Sequence, residues 1–216
     1  MRYAQSNVSD VMTQTVVAVS RTAVYKEIVR TLSEWNVSAV PVLEGEGRVI
    51  GVVSEADLLS KEEHKDRDPA GLDGPHRLSD LAKAGARTAE DVMSTPAVTV
   101  RGYATVAEAA RAMAHGGFKR LPVVDAEGRL VGIVSRSDLL KVYLRRDDDI
   151  AAEIRDDVIA PLFPHREPTV EVRVEEGVVA LSGHMADTAL IPLVTRLVRA
   201  VEGVVCADVR LDAPVA

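Results

Sequence analysis

Gly51-Val52-Val53-Ser54-Glu55-Ala56-Asp57-Leu58-Leu59 returns 81 residues later as Gly132-Ile133-Val134-Ser135-Arg136-Ser137-Asp138-Leu139-Leu140. Working outward from this pair, Asp10-Val11-Met12 returns as Asp91-Val92-Met93. Pro41-Val42 returns as Pro122-Val123, and Gly47-Arg48 as Gly128-Arg129. Between 10–59 and 91–140, 19 of 50 aligned positions are identical without a gap. That is well above chance, so the chain carries a duplicated unit. Twin units of this size pack on each other, and a cleft between twins is a natural ligand site.

Each repeat reads as strand, helix, strand, strand, helix. In the first, Val16 to Val19 is a short apolar strand. Residues 23–35 then place Val24, Ile28, Leu32 and Trp35 at helical spacing. Ser38–Leu43 and Val49–Val53 are strands around a Glu44-Gly45-Glu46-Gly47 turn, and a further helix starts near Ser54. In the second, Val98 to Val100 opens the unit. Thr105 with Glu108 three residues on predicts a capping box for a helix carrying Val106, Ala109, Ala110 and Met113. His115-Gly116-Gly117 stops that helix, and Leu121–Val124 and Leu130–Val134 are strands. The intervening 60–87 is rich in charge, Pro and Gly and reads as an exposed connection with one short helix near Leu78–Ala84. His64 and His76 are not spaced like a metal pair.

The character changes near residue 147. Asp147-Asp148-Asp149 opens a helix whose Ile150, Ile154, Val158 and Leu162 form an i, i+4 stripe, with Pro161 and Pro164 at its end. Thr169 to Glu175 alternates strictly and predicts a strand with one buried face. Val178–Ser182 follows as a second strand. A helix over 188–200 turns Leu190, Leu193, Val194 and Leu197 inward, with Pro192 starting or distorting it, and Val204–Leu211 is a last strand. Cys206 is expected to be inert core. The expected organisation is a first repeat at 1–62, a linker at 63–87, a second repeat at 88–146 and a terminal domain at 147–216.

With 47% hydrophobic residues among 216, the chain can bury a core, and with 3% aromatics that core must be aliphatic. No run approaches 18 apolar residues, and no apolar signal-peptide core opens the chain, so a cytoplasmic location is expected. The net charge of −7 disfavours a general affinity for nucleic acid or anionic membranes. One cysteine excludes an internal disulfide. No nucleophile–base arrangement, H-E-x-x-H or P-loop is present, so neither an enzyme, a metal site nor a required cofactor is expected.

Gly-x-x-Ser-x-x-Asp falls in both copies where a strand ends and a helix begins. One reading is capping alone: an N-cap serine with an acid three residues on. The other uses the same geometry for binding. N–H groups at a helix start attract phosphate, the serine hydroxyl joins them, and an aspartate accepts from paired hydroxyls such as a ribose presents. Gly51 and Gly132 would let a ligand approach the backbone closely. The two readings are compatible.

The repeats resemble a pair of cystathionine-β-synthase (CBS) motifs, the tandem called a Bateman module. The carriers are the Asp-Val-Met openings, Val37-Ser38-Ala39-Val40-Pro41-Val42, Phe118-Lys119-Arg120-Leu121-Pro122-Val123 and the two Gly-x-x-Ser-x-x-Asp strings. The tail is similar to a BON domain through Gly177-Val178-Val179-Ala180-Leu181-Ser182-Gly183 and Val201-Glu202-Gly203-Val204-Val205. The combination is a familiar bacterial arrangement. The resemblance implies a mixed α/β (α+β) fold: two pseudo-symmetric repeats with small sheets and packed helices, plus a small α/β sandwich.

It also implies a regulatory sensor of adenosine-containing ligands (AMP, ADP, ATP, NAD or S-adenosylmethionine), homodimeric through the CBS pair. Each site would join the Ser/Asp motif of one repeat to strands of the other. One would combine Ser135, Arg136, Ser137 and Asp138 with Thr13, Val17, Val37, Ser38 and a leaning Lys119. The other would combine Ser54 and Asp57 with Thr95, Val98, Phe118 and Lys119. Lys119 and Arg120, adjacent on a strand, should face opposite ways, with Arg120 the second candidate for phosphate. Arg136 and Ser137 in place of Glu55 and Ala56 predict that the Asp138 site is the tighter one. The alternative is a ligand-independent scaffold with an unknown protein partner, or an envelope or phospholipid contact through the BON domain. Residues 150–216 carry 11 acids against 6 arginines and no lysine, which weakens the lipid version.

Overall fold

The computed structural model describes residues 6–63, 87–162, 169–185 and 187–213. His64, His76 and the helix expected near 78–84 lie outside the described residues. The first repeat comprises α1 (Val8–Val11), β1 (Val19–Ser20), α2 (Tyr25–Glu34), β2 (Ala39–Glu44), β3 (Arg48–Ser54) and α3 (Glu55–Glu63). The second comprises α4 (Ala89–Val92), β4 (Val100–Arg101), α5 (Val106–Gly116), β5 (Arg120–Val124), β6 (Leu130–Ser135) and α6 (Arg136–Leu139). The tail adds α7 (Asp147–Glu153), β7 (Thr169–Glu175), β8 (Val178–His184), α8 (Ile191–Arg199) and β9 (Cys206–Asp212). The fold is mixed α/β, as the resemblance implies.

The described residues form two compact units. The larger holds 12–63, 87–104 and 111–135. It contains two three-stranded sheets of the same design: β1 parallel to β2 and β2 antiparallel to β3, then β4 parallel to β5 and β5 antiparallel to β6. The 81-residue register extends to backbone irregularities, since the bulge at Val42/Leu43 returns at Val123/Val124. Short β-branched strands bury Val40, Val42 and Val53 in one sheet and Leu121, Val123 and Val134 in the other. On α2 only Ile28 and Leu32 are buried; Val24 and Trp35 are 55% and 58% exposed. They fall at the helix's two caps, where the chain has left the buried stripe.

The first repeat does not close its own core. Ala89 and Val92, from the opening of the second repeat, are buried in it alongside Ile28, Val40 and Val53. The backbone zips this segment in place: Tyr25 N–H donates to Arg87 O at 3.0 Å, Ala89 N–H to Ala23 O at 2.9 Å, and Ser94 and Val52 exchange both hydrogen bonds. Arg21 ties the same edge by pairing with Glu44 and Glu90. Asp91 caps α4, accepting from the amides of Arg87 and Thr88 and the Thr88 hydroxyl. Those donors hold its carboxyl below the usual range, the Arg87 amide foremost. The reciprocal crossing pairs Thr13 with Ile133 through two bonds of 2.9 Å.

These crossings assign Gly51 and Gly132 a different role from the expected one. A Cβ on Gly51 would stand 2.5 Å from Met93 Sδ, and one on Gly132 would stand 2.5 Å from Met12 Sδ. The methionine of each Asp-Val-Met string therefore occupies the space over the other repeat's glycine. The glycines admit a thioether of this chain rather than a ligand.

The smaller unit holds 6–11, 105–110, 136–162, 169–185 and 187–213. Its sheet runs β7-β8-β9, with β7 antiparallel and β9 parallel to β8. Ile150, Ile154 and Val158 are buried against it as the stripe predicts, with Val194 and Val198 from α8. Beyond Glu153 the helix continues as a π turn, Ile154–Ile159, and then a 3-10 turn, Ala160–Leu162, which contains Pro161. Pro192 starts α8; Leu193 is 42% exposed rather than inward. Cys206 is exposed, against expectation. It opens β9 on the solvent face of the sheet, opposite exposed Val178, while its neighbour Ala207 faces the core.

The tail is clamped to this unit's other segments. Glu202 accepts from the Ser6 amide at 2.7 Å and from the Ser6 hydroxyl. Arg145 donates to the Glu202 carbonyl at 2.9 Å and pairs with Glu153 at 2.7 Å. Asp147 accepts from the amides of Glu176 and Gly177 and so fixes the β7–β8 turn.

Because a Cβ at Gly132 would also stand 3.1 Å from the Thr13 carbonyl, Gly132→Ala should destabilise by about 1–3 kcal/mol through overpacking. A thermal melt checks this. The double variant Met12→Ala/Gly132→Ala should recover part of the loss, since the thioether that clashes is gone.

Candidate functional site

In the larger unit, both repeats contribute to one cavity of about 380 Å³. That is near the lower end of the range for small-molecule sites. The first repeat supplies Ser38, Ser54, Glu55 and Asp57; the second supplies Ser94, Thr95, Val98, Phe118, Lys119 and Arg120. All six residues expected around Asp57 (Ser54, Asp57, Thr95, Val98, Phe118 and Lys119) line it, and so does Arg120, the second candidate for phosphate.

The motif's capping geometry is present. Asp57 Oδ2 accepts from the Ser54 amide at 3.0 Å and the Ser54 hydroxyl at 2.6 Å. Its Oδ1 accepts from the Ser94 hydroxyl at 3.2 Å, long for an O–H donor. The start of α3 is further fixed by Glu55 N–H donating to Ser38 O at 3.0 Å. Across the cavity, Arg120 Nη2 donates to Ser38 Oγ at 2.9 Å, and its buried Nε has no acceptor. Lys119 and Glu55 are exposed, and neither side chain has a hydrogen bond or ion pair among the described residues. Phe118 lies over Gly116, half-buried, with an edge on the cavity. The site thus offers an apolar wall, a half-buried carboxylate and two cations.

Lys119 and Arg120 both face this cavity, which corrects the alternation argument. Lys119 sits in a bend before β5, and Arg120 is the strand's first residue. The period-2 rule applies only once the strand has begun. Ser38, expected with Asp138, also lines the Asp57 cavity. Ser94 was missed, although adding 81 to Thr13 leads straight to it.

The other expected set is divided by the units. Thr13, Val17, Val37, Ser38 and Ser135 belong to the larger unit, where Val17 and Val37 pack on the first repeat's core. Arg136, Ser137 and Asp138 belong to the smaller one. There Lys141 Nζ meets Asp138 Oδ1 at 2.7 Å and lies 3.5 Å from the Val11 carbonyl. Lys141 was not singled out from the sequence, though its i, i+3 spacing from Asp138 on a helix would have flagged it. Among the described residues no group of three or more His, Cys, Asp or Glu could hold a metal ion, and no helix is long and apolar enough to cross a membrane.

Comparison with known proteins finds the CBS domain at residues 8–64 and 89–145 and the BON domain at 146–206. An uncharacterized protein of Methanocaldococcus jannaschii, MJ1426, is 30% identical over 134 residues, which are 55% of this chain and 80% of that one. The chloroplastic CBS domain-containing protein CBSX2 of Arabidopsis thaliana is 29% identical over 125 residues, covering 53% of this chain and 52% of its own length. The crystal structure of CBSX2 in complex with AMP superposes with a TM-score of 0.57 at 28% identity, over 64% of this chain and 97% of that one. With two CBS domains over more than half of its length and a BON domain after them, the chain belongs to the CBS-domain family.

Proposed function

We propose that this protein is a regulatory module that binds an adenosine-containing ligand between its repeats and passes occupancy to its BON domain. One observation carries the reading: Asp57, Ser54 and Ser94 converge with Lys119 and Arg120 on a single cavity with an apolar wall. In it the ribose hydroxyls meet Asp57, the base lies along Val98 and Phe118, and Lys119 and Arg120 hold the phosphate. The similarity to a plant CBS pair solved with AMP supports this. A second site uses Arg136, Ser137 and Asp138, where a ligand hydroxyl would compete with Lys141 for the carboxylate.

Transmission is supported by the company that the Asp138 motif keeps. Arg136, Ser137 and Asp138 lie in the same compact unit as the BON domain, in which Ser6 and Arg145 hold Glu202. A ligand that favours one arrangement of that segment biases what is clamped to it. The protein acts by binding rather than by catalysis, in the cytoplasm, as a homodimer. Val29 and Leu59 are exposed on α2 and α3 and line one groove, an apolar face suited to a second copy.

Calorimetry against AMP, ADP, ATP, NAD and S-adenosylmethionine tests the reading. Asp57→Asn should weaken one binding event by about tenfold or more, the loss of a charge-assisted hydrogen bond, and Asp138→Asn should weaken nucleotide binding further still. Silence across the panel would leave Ser-x-x-Asp as a cap and the chain as a scaffold.

Leu59→Arg should convert the dimer to a monomer in light scattering. A wild-type monomer would remove the dimer from the proposal.

A further inference from the structure

We infer that the Asp57 cavity is selective for a ligand with a single phosphate, and that Glu55 is the residue that turns longer phosphate chains away. The inference rests on the adenosine reading of this cavity and adds to it the charge of the ligand.

The charges that face the cavity are few. Lys119 and Arg120 supply two positive charges, and neither is neutralised by a carboxylate among the described residues. Two positive charges match the roughly two negative charges of one terminal phosphate near neutral pH. Asp57 is engaged by Ser54 and Ser94 and lies at the ribose end. Glu55 is the remaining charge. It lines the cavity, is exposed, and has no cation beside it among the described residues.

Its position relative to the phosphate follows from Ser38. The Ser38 hydroxyl holds the Arg120 guanidinium, and the Ser38 carbonyl holds the Glu55 amide. A phosphate seated on Arg120 is therefore next to the first residue of α3, which carries the Glu55 carboxylate. A second or third phosphate finds no further cation among the described residues that line the cavity, and it does find this carboxylate. Like charges at such range repel even at the high effective dielectric of a surface cleft. The cavity volume of about 380 Å³ suits a nucleoside with a short tail. The second repeat bears Arg136 at the equivalent position, so the two motifs differ in charge at the one place where phosphate count would be read.

The test uses the full chain carrying Asp138→Asn, which silences the second motif, titrated calorimetrically with adenosine, AMP, ADP and ATP. AMP should bind about tenfold or more tightly than ATP, a gap expected of one like-charge contact. Added Glu55→Arg should close that gap to within about threefold by strengthening ATP binding; Glu55→Gln should fall between. ATP binding as tightly as AMP before the change, or an AMP-to-ATP ratio that Glu55→Arg does not move, would overturn the inference while the adenosine reading stood. Absence of binding by all four compounds would overturn both, because the cavity would then not be an adenosine site.

Discussion

The crossing of the opening segments is the constraint on which the rest of the structure depends. Ala89, Val92 and Met93 belong by sequence to the second repeat, yet they complete the hydrophobic core of the first. Without them Ile28, Val40 and Val53 would face water on one side. A three-stranded sheet with two helices is too small to bury its own apolar face. The duplication answers this by lending each twin a segment of the other. The cavity is a by-product of that loan: Ser94 and Thr95, which follow Met93, reach the Asp57 motif only because the segment has already crossed.

The same crossing explains what the sequence made legible and what it did not. The 81-residue register was readable by identity alone, and it carried strand order with it. The capping boxes at Thr105/Glu108 and Ser54/Asp57 were readable because they are local, three residues apart. Gly51 and Gly132 were misread because their partners, Met93 and Met12, come from the opposite repeat. A glycine conserved between twins signals close approach, but the sequence does not say of what. Cys206 was misread for a different reason. An apolar run such as Val204-Val205-Cys206-Ala207 hides its alternation, and only the pairing with β8 decides which residues face the core. Val24 and Trp35 matched the helical period but fell on the caps, where a periodic argument no longer holds.

Polar residues of the site followed a similar division. The carboxylates and serines of the motif were found from their spacing. Lys119 and Arg120 were found as charges, but their direction depends on where β5 begins, a matter of one residue. Lys141 was overlooked because nothing in the duplicated pattern marks it; the first repeat has Ser60 at that place. Divergence between twins was used only inside the motif, at Glu55 and Arg136. One helical turn further on it would have shown that Asp138 has a cation within reach.

Capping and binding are not rivals at Asp57, because they use different oxygens. Oδ2 is committed to the Ser54 amide and hydroxyl, and those bonds hold the start of α3 whether or not a ligand is present. Oδ1 faces the cavity and accepts from Ser94 at 3.2 Å. Replacing so long a bond with a ribose hydroxyl at ordinary distance gives up little, since Ser94 is exposed and can turn to water. The cap thus fixes the carboxylate in the orientation that binding needs before any ligand arrives, and that preorganisation is what a small, half-open cavity requires to hold a small polar ligand.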